Sequence, residues 1–589
     1  MEVLCLMIQI KSLLSKYFTL FRIVFSLIWL TLLSSTDSYF SIYVLIAFCS
    51  FYLLIKREAA PTIRCAFSVF HIFLSVLFSG LVLLANYPVF TSVGDPALIA
   101  HSTSMIMNLI NGLLGFVGGV CVFYPLVSFF LSTFSFDCSD PENKKDSRYL
   151  PLLIFGSLLF INLIHLFFVE YPGNLTEDSF TQISEMISGH YSNFNTYWHT
   201  MIFQTVLTAG YGLFHDINAA VAFFTVLQMI VLTVSFSYCL MTLHHYGVPK
   251  TVLWVFYLIY AIIPYNLALS ITVWKDVLFA AATLLVLCSW LRIIKGIGHS
   301  VLQNYIVFII GSLLFLLSRT NGWMIYLVTF CVVLAFCHKD RMFLALMGSM
   351  AVLGWFLLNP ALTLLGVSGG DPVESFSIPI QQVSRVIADG CELSEEDEHL
   401  LSNIVDLDEV PALYTSWISD PMKVEIRSKN PDYFMDHLGE FGRLWVRLGV
   451  KHPWTYVKAW VDQTKGYWNG GYDYFLYSET ITDNPYGVEK TIDGNPVASL
   501  FRMYFGLSRH LVFFEPLHSI GLHIWILILC FILNLKRGVE QWVLSVPLLV
   551  LVVGLWAGTP VYSCFRYVYP IFVSIPLILS TALWKSKNA

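Results

Sequence analysis

The sequence predicts an all-α integral membrane protein with about fourteen transmembrane helices and an α-rich extracytoplasmic segment. Three observations carry this. Hydrophobic residues make up 57% of the 589 residues and charged residues only 12%, with a mean hydropathy of +0.70. A soluble chain carries about 25% charge, so lipid is the solvent for most of this one. The apolar residues come in runs close to the roughly 20 residues that a helix needs to cross a bilayer. The cations between those runs alternate in density, as they do in the loops of multi-pass proteins.

In chain order the candidate spans are 17–34, 39–55, 65–86, 105–132, 149–169, 217–241, 251–270, 277–293, 303–318, 322–337, 341–360, 513–534, 541–557 and 567–584. The run 199–214 is short and lies between polar loops, so it reads as an interfacial helix. The first run shows no cleavable signal pattern and reads as the start of the multi-span region. The twelve cysteines form no CxxC pair and no Cys/His cluster, which predicts neither a zinc site nor a disulfide framework. A net charge of -6 gives no reason to expect a nucleic-acid partner.

Orientation follows from the cations. An even number of spans puts both termini on one side. That side collects about eighteen Lys and Arg, in clusters such as KREAAPTIR (56–64), NKKDSR (143–148) and HKDR (338–341). The opposite short loops hold three: Lys275, Arg319 and Arg566. Positive loops stay cytoplasmic, so the termini are expected inside the cell membrane. YPGNLTEDSF and the segment 361–511 are then expected outside.

The polar residues that remain unusual all fall at outer turns. Glu177 and Asp178 follow the fifth span. Lys275 and Asp276 head another, in ITVWKDVLFA. Arg319 and Asn321 stand in LSRTNG, and Arg566 in CFRYVYP. A charge at the bilayer centre costs about 2.5–3.5 kcal/mol on insertion scales. Each of these charges alone is accounted for as a helix-end anchor; together, on one side, they suit one cavity.

These residues carry a resemblance. The order is a span, PGNLTEDS (172–179), a stretch without cations, YWHT (197–200), two spans and KD (275–276), with IPIQQ (378–382), SRTNG (318–322) and RYVYP (566–570) further on. It resembles the GT-C superfamily of membrane glycosyltransferases, which includes protein O-mannosyltransferases and aminoarabinose transferases, and above all a poorly characterised bacterial branch. Relatives carry a His-Pro or Pro-Pro pair where this chain has TYWHT. The resemblance covers roughly residues 149–584 and leaves four leading spans outside it. The chain then divides into a four-helix membrane region (1–148) outside the resemblance, a GT-C-like core (149–360) with a first outer loop at 170–216, the extracytoplasmic segment 361–511, and C-terminal spans (512–589). The resemblance implies a polyprenyl-phosphate-linked sugar donor and a glycan, lipid or protein acceptor in the cell envelope. By the same resemblance Asp178, or its neighbour Glu177, matches the leading acid and Asp276 the second acid.

Such a transfer needs an acceptor hydroxyl deprotonated as it attacks, and charge neutralised on the leaving phosphate. A carboxylate suits the first task. Asp178 is then a base, or the holder of a divalent metal ion that orients the acceptor. A second carboxylate and partial desolvation would raise its pKa from the ordinary value near 3.9. Asp178 is equally suited to capping a short helix at SFTQISEMI. Arg566 suits the donor phosphate, because guanidinium binds phosphate in a planar, bidentate way; Arg319 and Lys275 are its competitors. An ion pair of Arg566 with Asp276 is the plainer alternative.

The segment 361–511 reads as a small α-rich unit without a calcium loop. In KHPWTYVKAWVDQTKGYWNGGYDYFLY, Trp454, Val457, Trp460 and Val461 lie near one helix face, which fits a helix resting on the bilayer. Tyr467, Trp468, Tyr472 and Tyr474 would then shape the mouth of the cavity. Asn174 begins a glycosylation sequon, NLT, expected to stay unmodified beside the acid pair. His190, His199 and His215 have no metal spacing. The competing class is a transporter or flippase of a lipid-linked or polar solute, which tends to show repeats and broken helices near the midplane.

Overall fold

The computed structural model describes residues 19–34, 40–59, 69–87, 101–133, 136–137, 149–297, 300–337, 340–471, 481, 484–490, 495–511 and 514–585. Lys11, Lys16, the cation cluster at 143–148 and the aromatic Tyr472 and Tyr474 lie outside these residues.

The described chain is almost wholly helical. Its first part comprises α1 (Thr19–Leu33), α2 (Phe40–Ala59), α3 (Val69–Ala85), α4 (His101–Thr133) and α5 (Leu150–Phe168). Then come α6 (Glu177–Ser188), α7 (Tyr197–Phe214), α8 (Ile217–Tyr246), α9 (Lys250–Ile262), α10 (Pro264–Ile271), α11 (Lys275–Lys295), α12 (Val301–Ser318), α13 (Gly322–Phe336) and α14 (Arg341–Leu358). The 361–511 segment holds α15 (Ser377–Ala388), α16 (Glu395–Ser402), α17 (Asp420–Lys429), α18 (Leu438–Lys451), α19 (Pro453–Thr464) and α20 (Pro496–His510). The chain closes with α21 (Ile520–Arg537), α22 (Val546–Gly558) and α23 (Phe565–Leu583). The one sheet among the described residues pairs Phe136–Asp137 with Trp584–Lys585 in parallel.

Every predicted apolar run coincides with an apolar helix. Among the described residues nine helices are long and apolar enough to cross a membrane, and α9 with α10 makes a bent tenth. Four apolar helices are shorter, at 19–33, 41–54, 69–85 and 322–336. Many outward faces are apolar: Phe48, Leu152, Trp254, Leu302, Phe336 and Val352 are all exposed. Apolar surface on that scale is unfavourable in water. The fold is that of an all-α, multi-pass membrane protein.

Helix α11 is the axis of the bundle, with 89% of its apolar window buried. Its Ala280–Ala282 run keeps that face thin. Opposite, a Cβ on Gly311 of α12 would come within 3.2 Å of Leu285 and Val286, so glycine allows the two backbones to close. The bend of 46° between α9 and α10 falls at Ile263–Pro264. Proline lacks the N–H that would continue α9, but it opens α10 favourably at the first position.

The four leading helices do not stand apart. Trp29, Tyr43, Phe78 and Phe123 belong to one core with α21 and α23, and Trp525 meets Phe78 at 5.1 Å and Phe123 at 5.5 Å between ring centres. Residues 373–456 form a second core around Val386, Met422, Phe434 and Leu444. The IPIQQ motif stitches this unit together. Gln381 donates to Thr415 O at 2.8 Å, while Gln382 accepts from Trp445 Nε1 at 2.8 Å and donates to Tyr456 O at 3.3 Å. In α19 the buried side is Tyr456, Ala459 and Val461, while Trp454 and Val457 are exposed.

Candidate functional site

The site begins with the loop before α6. Gly173 has φ +119° beside Thr225 and Ile271, a conformation that favours glycine. Next, Asn174 N donates to Ile271 O and Val273 N to Asn174 O, each at 2.9 Å. Trp274 Nε1 donates to Thr176 Oγ1 at 2.7 Å, and Ser179 Oγ to Val273 O at 2.8 Å. These bonds dock the first turn of α6 against the residues that lead into α11. That is why Asp178 lies near Lys275, 97 positions further along in sequence. Asn174 is buried, so the folded chain does not present its sequon.

Helix phase separates the two adjacent acids. Consecutive residues in an α-helix point about 100° apart. With Ser179, Gln182 and Ile183 buried, Glu177 faces solvent, whereas Asp178 lines a cavity of about 710 Å³. Helix α6 starts at Glu177 with Thr176 as its N-cap. The capping role open to Asp178 therefore falls to Thr176, and Glu177 stays outside the cavity as a favourable charge on the first turn.

Arg566, in the first turn of α23, donates to Asp178 Oδ2 at 2.6 Å. Its guanidinium lies 4.9 Å from the Trp274 ring centre and 5.1 Å from that of Tyr567. The expected alternative partner, Asp276, is taken: Arg319 donates to Asp276 Oδ1 at 2.7 Å. Asp276 is 1% exposed and sits behind the cavity wall, and its Oδ2 has no hydrogen-bond partner among the described residues. The Arg319 guanidinium lies 5.0 Å from the Tyr567 ring centre, so that ring is within reach of both guanidiniums. Lys275 Nζ donates to Asn195 Oδ1 at 2.8 Å and to Phe194 O at 3.4 Å. Two of these cations, Lys275 and Arg566, occupy first turns of helices, where the macrodipole disfavours positive charge. The same first turns favour an anion placed among them.

The Asp178 carboxyl moves opposite to the expected direction. Burial raises it, but Arg566 and then Lys275 outweigh burial and hold it below the ordinary Asp value. Its charged form thus stabilises the fold above about pH 4. That contribution is lost as pH falls through the lowered folded value. Replacing Arg566 with Gln leaves burial in place and removes the main opposing charge. The acid-unfolding midpoint of Arg566→Gln in detergent is expected at higher pH than wild type; an unchanged midpoint would refute the coupling.

His199 is buried, shares Gln182 Nε2 at 2.9 Å through its Nδ1, and is pushed down to about 3 by burial and then by Lys275. It is a neutral, packed histidine. His190 and His215 are exposed, and among the described residues no three His, Cys, Asp or Glu side chains come together as metal ligands. Asp178 and Asp276 both face guanidiniums, a setting that repels a metal cation.

Asn321 lines the cavity. Tyr467 and Trp468 do not. Tyr467 is fully buried, accepting from Cys564 N at 3.0 Å and Thr559 Oγ1 at 3.1 Å. Trp468 is buried and stacks on Trp460 at 5.7 Å. Their aromatic surface belongs to the core beneath the site, and burial pushes the Tyr467 hydroxyl well up.

The cavity also has a wall that sequence reasoning missed: Asp371 and Glu374, from GGDPVES. Arg427 donates to both, and the fully buried Lys423 donates to Glu374 at 2.5 Å. The second core thereby fixes one side of the cavity. Asn195 was missed as well. It is fully buried, donates to Asp178 O at 3.3 Å, and precedes Thr196, which is held at φ +65°. A strained residue beside a charged cavity is the available signal for it, and strain is visible only in three dimensions.

A second cavity of about 690 Å³ adjoins the first. It is lined only by apolar residues and glycine, among them Val328, Phe336, Phe531, Trp542 and Val546, and it shares Val550 and Gly554 with the charged cavity. It runs between α13, α21 and α22.

A family model matches residues 188–589, a stretch that contains Lys275, Asp276, Arg319, Asn321 and Arg566 and begins after Glu177 and Asp178. No curated protein and no solved structure matches the chain. With two thirds of its length matched, the chain belongs to a family of unknown function, DUF6020.

Proposed function

We propose that this protein is a multi-pass membrane glycosyltransferase of the GT-C type. In this reading it moves a sugar from a polyprenyl-phosphate-linked donor to a glycan, lipid or protein hydroxyl on the extracytoplasmic face. In this reading the four shorter apolar helices cross as well as the nine long ones and the bent pair, giving fourteen crossings, and the cation bias of the loops argues for both termini in the cytoplasm. The observation that carries the reading is the joined pair of cavities. One is charged and holds an Asp–Arg pair; the other is wholly apolar and continues from it at Val550 and Gly554. A molecule that fills both has an anionic head and a long hydrocarbon tail.

The chemistry then divides among named residues. The donor phosphate lies against Arg566, with Lys275 and Arg319 adding positive charge. Asp178 accepts the proton of the acceptor hydroxyl as its oxygen bonds to the anomeric carbon. The bond from that carbon to the phosphate oxygen breaks, and the electron pair leaves on the lipid phosphate, which stays with Arg566. Asp276 keeps Arg319 in place, and Asn321 and Tyr567 border the space for the sugar. Tyr467 and Trp468 support the cavity from below.

The transporter reading draws on one feature, the break between α9 and α10. All eight residues of α10 are buried, however. At the break Tyr504 OH donates to Ile262 O at 2.7 Å, and Tyr569 OH donates to Asn266 Oδ1 at 3.0 Å. The break is filled by protein and carries no charge, so the transferase reading accounts for more.

Reconstitution with radiolabelled polyprenyl-phosphate sugars tests the choice. Label appearing in an acceptor supports transfer; labelled lipid that only changes leaflet supports the transporter. The groove has its own test at Gly554, where an added Cβ would meet nothing within 4 Å. A leucine there displaces about two chain methylenes, each worth about 0.8 kcal/mol, so half-saturation by donor should rise roughly tenfold. The maximal rate should hold. A donor response identical to wild type would remove the tail from this groove.

A further inference from the structure

We infer that the donor itself unmasks the base: its phosphate takes Arg566 from Asp178, so the acceptor can be activated only after the donor is bound. This rests on the transferase reading above and adds a compulsory order to it. In the resting structure Oδ2 of the Asp178 carboxylate accepts from Arg566 at 2.6 Å. A base whose oxygen already accepts a guanidinium hydrogen bond is poorly placed to receive a hydroxyl proton. The paired carboxylate is therefore a poorer proton acceptor in the resting site, although it borders the cavity.

An arriving phosphate has two guanidiniums to choose from, and the geometry makes them unequal. Taking Arg319 would strand Asp276, whose side chain is 1% exposed and whose Oδ2 already lacks a hydrogen-bond partner. A bare carboxylate buried there has no solvent to fall back on. Taking Arg566 releases Asp178, whose side chain is 25% exposed and faces the cavity. That carboxylate remains hydrated and keeps the nearby Lys275 ammonium as a screening charge, held by Asn195 at 2.8 Å. Arg566 loses little in the exchange, since a phosphate is a bidentate partner as good as a carboxylate. The Trp274 and Tyr567 rings hold its guanidinium in place meanwhile. One arginine thus serves as the mask of the base in the resting protein and the clamp on the leaving group during transfer. Proton abstraction from an acceptor with no leaving group in place is thereby suppressed.

The test uses the full chain in detergent with a polyprenyl monophosphate as probe. A water-soluble carbodiimide with an added amine labels accessible carboxylates, and peptide mass spectrometry reads Asp178 and Asp276 separately. Saturating probe should raise labelling of Asp178 by up to about fivefold, the range of a partly exposed ion pair, and leave Asp276 unlabelled. Arg566→Gln should label Asp178 at the high level with or without probe. Probe retained by the wild type with no rise at Asp178, or a rise at Asp276 instead, would overturn the exchange while leaving the donor reading intact. Probe that is not retained by the wild type overturns the donor reading, and the exchange with it.

Discussion

Asp178→Asn is expected to lower the rate of sugar transfer by about 10²–10⁴-fold, the usual contribution of a positioned base. Asparagine keeps the shape of the side chain but accepts no proton. The fold should survive, because the pair with Arg566 is partly exposed and such pairs are worth about 0–1 kcal/mol. Donor binding should be unchanged or tighter, since Arg566 loses its competitor. The loss therefore falls on kcat rather than KM, the pattern for an interaction made only in the transition state. Initial rates in proteoliposomes with radiolabelled polyprenyl-phosphate sugar measure both. Glu177→Gln is the internal comparison: Glu177 is exposed and outside the cavity, so its rate should match wild type. An Asp178→Asn enzyme that turns over like wild type takes this residue out of the chemistry.

What could be read from the sequence follows the range of each interaction. The apolar runs were legible because a membrane helix is specified locally, by length and composition. The grouping of Asp178, Lys275, Arg319 and Arg566 was legible because the cation bias places separate turns on one side without any knowledge of packing. Which acid faces the cavity depended on where α6 begins. That start is set by Thr176 and by bonds to residues 271–274, nearly a hundred positions away. Tyr467 and Trp468 were misread because aromatic composition fits a core as well as a mouth. Asp371 and Glu374 were invisible because their partners, Lys423 and Arg427, lie on another helix of the segment. The direction of the Asp178 shift was missed for the same reason: its cause is Arg566, at the far end of the chain.

Arg319→Ala is expected to destabilise the protein by about 3–5 kcal/mol, the cost of removing one partner of a buried pair. Asp276 is then left in the first turn of α11, the most buried of the long apolar helices, with neither oxygen paired to a cation. The comparison with Arg566→Ala separates two kinds of ion pair in one cavity. That variant frees a partly exposed carboxylate and should cost about 1 kcal/mol or less. Midpoints of denaturant-induced unfolding in matched micelles give the order, and an Arg319→Ala midpoint no lower than that of Arg566→Ala would refute it. The double variant Arg319→Met, Asp276→Leu removes both charges and fills their space. Replacing a buried pair with apolar residues is often neutral or better, so it should recover most of the loss. If it is stable but inactive, the pair is there for the cavity: Asp276 fixes an arginine beside the proposed phosphate site that the fold alone does not need.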